Sequence, residues 1–334
     1  MPRRGPCSGA RCGRACHKQG GCVLIIKIMK NENKYILNAK QSGRLAGRGL
    51  VHSGPIEWNG SSNNSQLDVN RMGYQEESAR MVGEEAQAKY KNVGSNLKYL
   101  TVSNPKTQRG LAFGYITAIL HLAPANYGGY TTCHRFKECA TTCLYHQGRG
   151  RFPSVANARI RKTKQLFEER ESFFMGLHTD ISALLFKLRG KDAPKLCVRL
   201  NGTSDICWED IRVKAFDNKT IFDAFPTVEF YDYTKYKWNT RTAWDDMPMN
   251  YHLTYSFDGT EADVANANEV LKNGWNVNII HTKSNYKRII AKISEGYKIW
   301  GYPVFDNELN DLRFLDARPM VLIGKEKGYS NIAI

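Results

Sequence analysis

The sequence predicts an α/β protein: a partial (βα) barrel with parallel strands, preceded by an irregular N-terminal extension. Three observations carry that expectation. Apolar segments of strand length recur seven times from residue 111 onward, at 111–122, 196–200, 228–231, 252–256, 277–280, 303–305 and 320–323. Stretches with helical apolar spacing lie between most of them. Polar residues gather just after the strands, where the loops of a parallel sheet converge. Strands alternating with helices imply right-handed parallel βα units. Seven strands with five or six helices fit an open or partial barrel better than a complete eightfold one, and a doubly wound sheet is the alternative.

Taken in chain order, the first stretch stands apart. Residues 1–28 hold six basic residues, no acidic residue and four of the nine cysteines, Cys7, Cys12, Cys16 and Cys22. Their spacing matches no usual zinc pattern, although four thiolates, or three with His17, suit tetrahedral zinc. The apolar run 23–28 is short for a secretory signal, and no small-residue cleavage site follows it. Composition changes abruptly at Met29, which is the expected true start, with 1–28 a non-native or disordered extension. Residues 29–95 read as an irregular, loop-rich region marked by SGRLAGRG and NGSSNNS. The glycine-rich run with Arg44 and Arg48 lacks a GK[ST] ending, so it reads as a basic turn and not as a phosphate loop.

Residues 96–334 form the expected βα domain. Residues 157–189 carry Ile160, Phe167, Phe174, Leu177, Ile181, Leu184, Leu185 and Leu188 at helical spacing, with a break near Ser172. Residues 261–272 and 285–295 read as shorter helices, ended by Gly274 and Gly296. No window of the chain reaches a membrane-spanning length of apolar residues. The formal charge of +16 falls to +10 once the six basic residues of 1–28 are set aside, and an excess of that size suits a nucleotide or nucleic-acid partner.

The sharpest local feature is TTCHRFKECATTCLYHQGRGR, which places Cys133, Cys139 and Cys143 within eleven residues. Such spacing lets one loop supply three ligands to a [4Fe-4S] cluster with an open position, or to zinc with His134 or His146 as the fourth. Unligated buried thiols are the bland reading, and a disulfide is disfavoured in a reducing compartment. Cys197 and Cys207 lie outside the loop and read as inert. Arg149, Arg151, Arg159, Arg161 and Lys162 form the densest basic stretch of the body and are the candidate nucleic-acid contacts, while Glu168, Glu169 and Glu171 permit ordinary ion pairs along a solvated helix.

In RLNGTSDICWED, Asn201 and Asp205 are candidate catalytic residues, together with Asp232 after the third strand. Thr203, Ser204, Asp258 and His281 are candidate cofactor contacts. Helix capping by Ser204 or Asp205 competes with that reading. Asp311, Arg313 and Asp316 are expected to form a buried ion-pair network. The G-x-S-x-G, HExxH and P-loop signatures are absent, as is the paired-His motif of a rolling-circle initiator.

The stretch from NPKTQRGLAFGYITAILHLAPANYGGYTTCHRF to VANARIRKTKQLF, with RLNGTSDICWE, VFDNELNDLRFLD and VLIGKEKG downstream, resembles the phage gene product 88 domain family over roughly residues 95–330. That resemblance implies a phage origin and a host-cytoplasm setting, and it supplies no activity. A weaker topological resemblance is to radical S-adenosylmethionine enzymes, whose three cluster cysteines follow the first strand of a partial barrel. The spacing departs from C-x3-C-x2-C, and residues 201–205 stand where a Gly-Gly-Glu-like segment would meet the cofactor. The leading expectation is an iron-sulfur enzyme modifying a nucleotide or nucleic acid. The alternative is a non-enzymatic, nucleic-acid-associated protein of phage replication or host takeover, with structural cysteines or zinc.

Overall fold

The computed structural model describes residues 24–27, 34–37, 88–102, 109–136, 143, 145, 150, 152–244 and 246–327. The chain divides into two units, Met1–Glu57 and Trp58–Ile334. In the first, β1 (Leu24–Lys27) pairs antiparallel with β2 (Lys34–Leu37), so Met29 falls between the two strands. The cysteines expected in a knuckle, Cys7 to Cys22, lie outside the described residues, as does nearly all of the loop-rich region.

The second unit is built on a nine-stranded sheet. Its strands are β3 (Leu100–Thr101), β4 (Tyr115–Leu120), β5 (Lys195–Arg199), β6 (Glu229–Thr234), β7 (Tyr251–Ser256), β8 (Val277–His281), β9 (Lys298–Ile299), β10 (Tyr302–Asp306) and β11 (Val321–Lys325). The order across the sheet is β3-β4-β5-β6-β7-β8-β11-β10-β9. All seven expected strands exist, and they pair in parallel with one another. The two-residue strands β3 and β9 add antiparallel edges. The two edge strands do not pair with each other, so the sheet is open.

Alternation along the strands separates two faces. Ile116, Ala118, Leu196, Val198, Phe230, Leu253, Val277, Ile279 and Val321 share one apolar core with Phe173, Phe174, Leu177, Ile181 and Leu184 of α2 (Arg170–Lys187). Each of those large side chains contributes about 2 kcal/mol by leaving water. Helix α1 (Pro153–Glu168) begins on Pro153, whose fixed φ and missing N–H suit a first turn. The break between α1 and α2 falls at Glu169, three residues before the expected Ser172. Helix α3 (Ile221–Ala224) starts on a Thr220/Asp223 capping box. Helices α4 (Val264–Lys272) and α5 (Lys283–Ile293) end shortly before Gly274 and Gly296, whose φ values of 84° and 77° only glycine adopts without strain.

From β4 to β8 each strand is laid beside the one before it, always on the same side. The chain then passes over one place to β10 and returns to set β11 between β8 and β10. A right-handed crossover running backward must lie on the other face of the sheet. The 307–320 segment does so: Leu312 and Phe314 pack on Tyr115, Cys197 and Tyr231, which point away from the helices. The polar network is there too, as two ion pairs. Arg313 pairs with Asp316 at 3.3 Å, both side chains almost fully buried, while Asp311 takes Arg199 at 3.5 Å and accepts from Tyr231 and Tyr233. Among the described residues, no helix is long and apolar enough to cross a membrane.

Candidate functional site

The loops after the parallel strands are stitched together at the C-terminal edge of the sheet. Thr132 Oγ1 donates to Ala123 O at 2.6 Å, folding the loop after β4 back on itself. The Asp205 N–H donates to Thr132 O at 2.8 Å, and Cys133 Sγ lies 3.8 Å from Thr203 O, so the first and second loops touch. Arg135 reaches Asp258 after β7 at 3.2 Å. Lys235 Nζ donates to Ser256 O at 3.0 Å, tying the loop after β6 to the end of β7.

Cys133 and Cys143 are half-buried thiols on the first of these loops. Burial pushes the Cys143 thiol up, while the Tyr145 backbone and the Arg159 guanidinium pull it down. Cys139 and His146 lie outside the described residues, and His134 meets the Tyr236 ring edge-on at 5.5 Å. Cys197 is buried on β5 against Thr117 Oγ1 at 3.3 Å, and burial pushes its thiol up to about 12. Burial likewise raises Cys207, to about 11. Ligand atoms of Cys207, Glu209 and Asp210 lie within 4.8 Å of one another. However, Glu209 already gives both oxygens to Arg241.

The residues singled out after β5 serve the loop itself. Asn201 Oδ1 accepts from Ser204 Oγ, Ile206 N and Trp208 Nε1 at 2.9–3.0 Å, and its Nδ2 donates to Ile206 O. Thr203 Oγ1 donates to Leu122 O at 2.6 Å. Asp205 accepts from Lys235 N at 2.7 Å and pairs with Arg241 at 3.2 Å. Burial raises its carboxyl, and Arg241 pulls it back. Neither Ser204 nor Asp205 caps a helix: the element that follows is a 3-10 turn, Trp208–Asp210, with Cys207 at its N-cap. Asp232 is fully buried on the helix side, accepting from Asn201 N at 2.7 Å and Tyr251 Oη at 3.1 Å. Desolvation raises its carboxyl to about 7.

Asp258 Oδ1 accepts from Thr260 N and Oγ1 while Oδ2 takes Arg135. His281, at the end of β8, leaves Nε2 buried and without a partner, and burial lowers its imidazole. Of the basic stretch, Arg149 and Arg151 lie outside the described residues and Arg161 is exposed. Arg159 is turned inward, donating to Tyr145 O at 3.1 Å. Lys162 is half-buried and donates to Tyr99 O at 3.0 Å, and burial together with Arg159 brings its ammonium down to about 8.

Sequence reasoning passed over His121. It follows the last residue of β4 directly, and its Nδ1 is buried without a partner. A Cβ on Gly202 would stand 2.6 Å from that nitrogen, so only glycine leaves room beside the ring. Burial, then Arg159, Lys162 and Arg199, lower its imidazole to about 3, keeping it neutral. Its position was the available signal: it is the first polar residue at the C-terminal end of a fully buried parallel strand.

The fold is α/β, with loops that converge at the C-terminal edge of a mostly parallel sheet. The chain belongs to the gene product 88 family of bacteriophage proteins, whose family model matches residues 89–333. No curated protein and no solved structure matches it. Nothing in these comparisons points to radical S-adenosylmethionine enzymes.

Proposed function

We propose that this phage protein is an enzyme whose reaction centre lies over the ends of β4 and β5, where the Cys133, Cys139 and Cys143 loop holds a metal centre. A [4Fe-4S] cluster is the leading form and zinc the alternative. One observation carries the reading. The described part of the cysteine loop is tied to the neighbouring strand-end loops by Asp205 N to Thr132 O and by Arg135 to Asp258, so the thiols border the strand ends where parallel sheets place their ligands. A thiolate-bound centre would supply electron transfer or an open Lewis-acid position. The protein's own part is to hold the loop, exclude water and present His121 as a neutral imidazole.

In this reading the sheet is a barrel fragment, the setting is the host cytoplasm, and a nucleotide or nucleic acid is the substrate class suited to the body charge. The inward turn of Arg159 and Lys162 favours an enclosed pocket over the non-enzymatic alternative, a surface tracking a phosphate backbone. S-adenosylmethionine is left out: Thr203, Ser204 and Asp258 have their side-chain oxygens engaged, and only His281 of that set keeps a polar atom uncommitted. The test is anaerobic reconstitution with iron and sulfide, followed by a metal count and an absorption spectrum. Cys133→Ala and Cys143→Ala should lose the bound iron while Cys197→Ala retains it. Equal iron in all variants, or none in the wild type, would overturn the metal centre; zinc alone, bound through the same cysteines, would select the other form.

A further inference from the structure

We propose that the solvent face of α5 is a docking surface for single-stranded nucleic acid, with Lys283, Lys287, Arg288 and Lys292 on its phosphates and Tyr297 against a base. The helix sits on the sheet by its other face. Ile289 is buried, Tyr286, Ile290 and Ile293 pack on the same core, and Tyr286 Oη donates to Asp306 at 2.8 Å. Helical spacing then sets the four cations, with Ser284 and Ala291, on the side facing solvent, and all six residues are exposed. No acidic residue lies within the helix. Among the described residues no carboxylate comes within ion-pair distance of the four side chains, whereas Lys272 at the end of α4 pairs with Glu269 at 2.7 Å. Glu326 borders the first turn, and it accepts from the Lys283 N–H at 3.3 Å.

Like charges one helical turn apart repel, and α5 carries two such pairs, Lys283 with Lys287 and Arg288 with Lys292. A polyanion laid along the helix turns that repulsion into attraction. Residues 283–298 hold five basic residues and one acidic residue, Glu295, so this short segment supplies four of the ten excess charges of residues 29–334. A single strand fits better than a duplex. Tyr297 lies just past the helix, is 39% exposed and has Lys292 Nζ 5.8 Å from its ring centroid, so a phosphate on Lys292 brings its base to an aromatic side chain. Unpaired bases can stack there, and paired bases have no free face. An anionic membrane fits less well, because the apolar side of α5 is already buried on the sheet and leaves nothing to enter lipid. The surface rests on the reading of a nucleic-acid partner, and it does not require the cysteine loop to hold metal.

The experiment measures fluorescence anisotropy of labelled oligothymidylate, and separately of a duplex of the same length, with metal-free full-length protein over a series of salt concentrations. Lys287→Gln combined with Arg288→Gln should weaken single-strand binding about tenfold and lower the slope of log affinity against log salt by about 1.4, at ~0.7 per lost phosphate contact. Both residues are exposed, so the fold is kept. Tyr297→Ala should weaken binding about fivefold with the slope unchanged. Lys214→Gln combined with Lys219→Gln removes the same charge from another exposed stretch and should leave affinity and slope near wild type. Equal losses in the two double variants would show binding that follows net charge alone and would overturn the surface. Tighter binding of the duplex would overturn it too, as would a protein that ignores the oligonucleotide but binds phosphatidylserine vesicles through Lys287 and Arg288. Wild-type binding that the α5 variants leave untouched overturns the surface and keeps the nucleic-acid partner. A wild type that binds neither strand form overturns both, and the iron count stands apart from either result.

Discussion

Asn201 and His121 stand just past the C-terminal ends of neighbouring parallel strands and use their polar atoms in opposite ways. Asn201 gathers three donors on one oxygen and returns its amide to Ile206 O, so the loop after β5 is closed on itself. His121 leaves Nδ1 buried without a partner. Folded proteins satisfy nearly all buried polar groups, so the first pattern marks scaffold and the second departs from it. In the proposed reading the candidate residues after β5 hold up the site, and His121 at the end of β4 borders it.

The largest expected effect on the scaffold side is at Arg241. It holds Glu209 with two hydrogen bonds and Asp205 with a third, and its side chain is fully buried. Arg241→Ala leaves two buried carboxylates without their cation and should cost about 3–5 kcal/mol in chemical denaturation. Next is Asn201→Ala, which strands three donors, Ser204 Oγ, Ile206 N and Trp208 Nε1. At about 1 kcal/mol each the loss should approach 3 kcal/mol. A loss of only a few tenths in either variant would break the contrast between a closed loop and an open one.

Asp232 sharpens it through pH. Its folded carboxyl titrates near 7 against 3.8 for the free group, so between those values the native state keeps a proton that the unfolded chain has released. Stability from this group is therefore greatest at low pH and falls as pH rises through that window, by about 1.4 kcal/mol per unit. His121, held near 3 against 6.5, contributes the opposite slope over part of the range, because the unfolded chain takes up the proton first as pH falls. The two partly cancel in the wild type. The difference between wild type and Asp232→Asn isolates the first term, and a pH-independent difference would contradict it. The smallest effect is at Asp205. Asn keeps the hydrogen bond from Lys235 N and loses the charge facing Arg241, so Asp205→Asn should cost about 1 kcal/mol.

Much of the frame was legible in the sequence. The seven parallel strands were, because short alternating or continuous apolar runs mark a sheet buried on both faces. Strands β3 and β9 were not, since two residues carry no period. The exchange of β10 and β11 was hidden too, because either strand order leaves the same apolar pattern along the chain. At the site, the thiols and the strand-end polar residues were visible by type, but whether each was engaged was not. Asn201 and Asp205 advertise chemistry and hold up a loop. His121, set in an apolar run, reads as a core residue. The inward face of α1 had a signal that charge counting obscured: Arg159, Thr163 and Leu166 recur at helical spacing, and all three are buried.

The most direct test of the division between working loop and scaffold compares Cys133→Ala with Asp205→Asn after anaerobic reconstitution under identical conditions. These residues lie on adjacent loops joined by a backbone hydrogen bond, Asp205 N to Thr132 O at 2.8 Å. The account predicts that Cys133→Ala folds with near-wild-type stability and loses its iron, while Asp205→Asn is slightly less stable and keeps a full complement. Iron retained in Cys133→Ala and lost in a folded Asp205→Asn would contradict it.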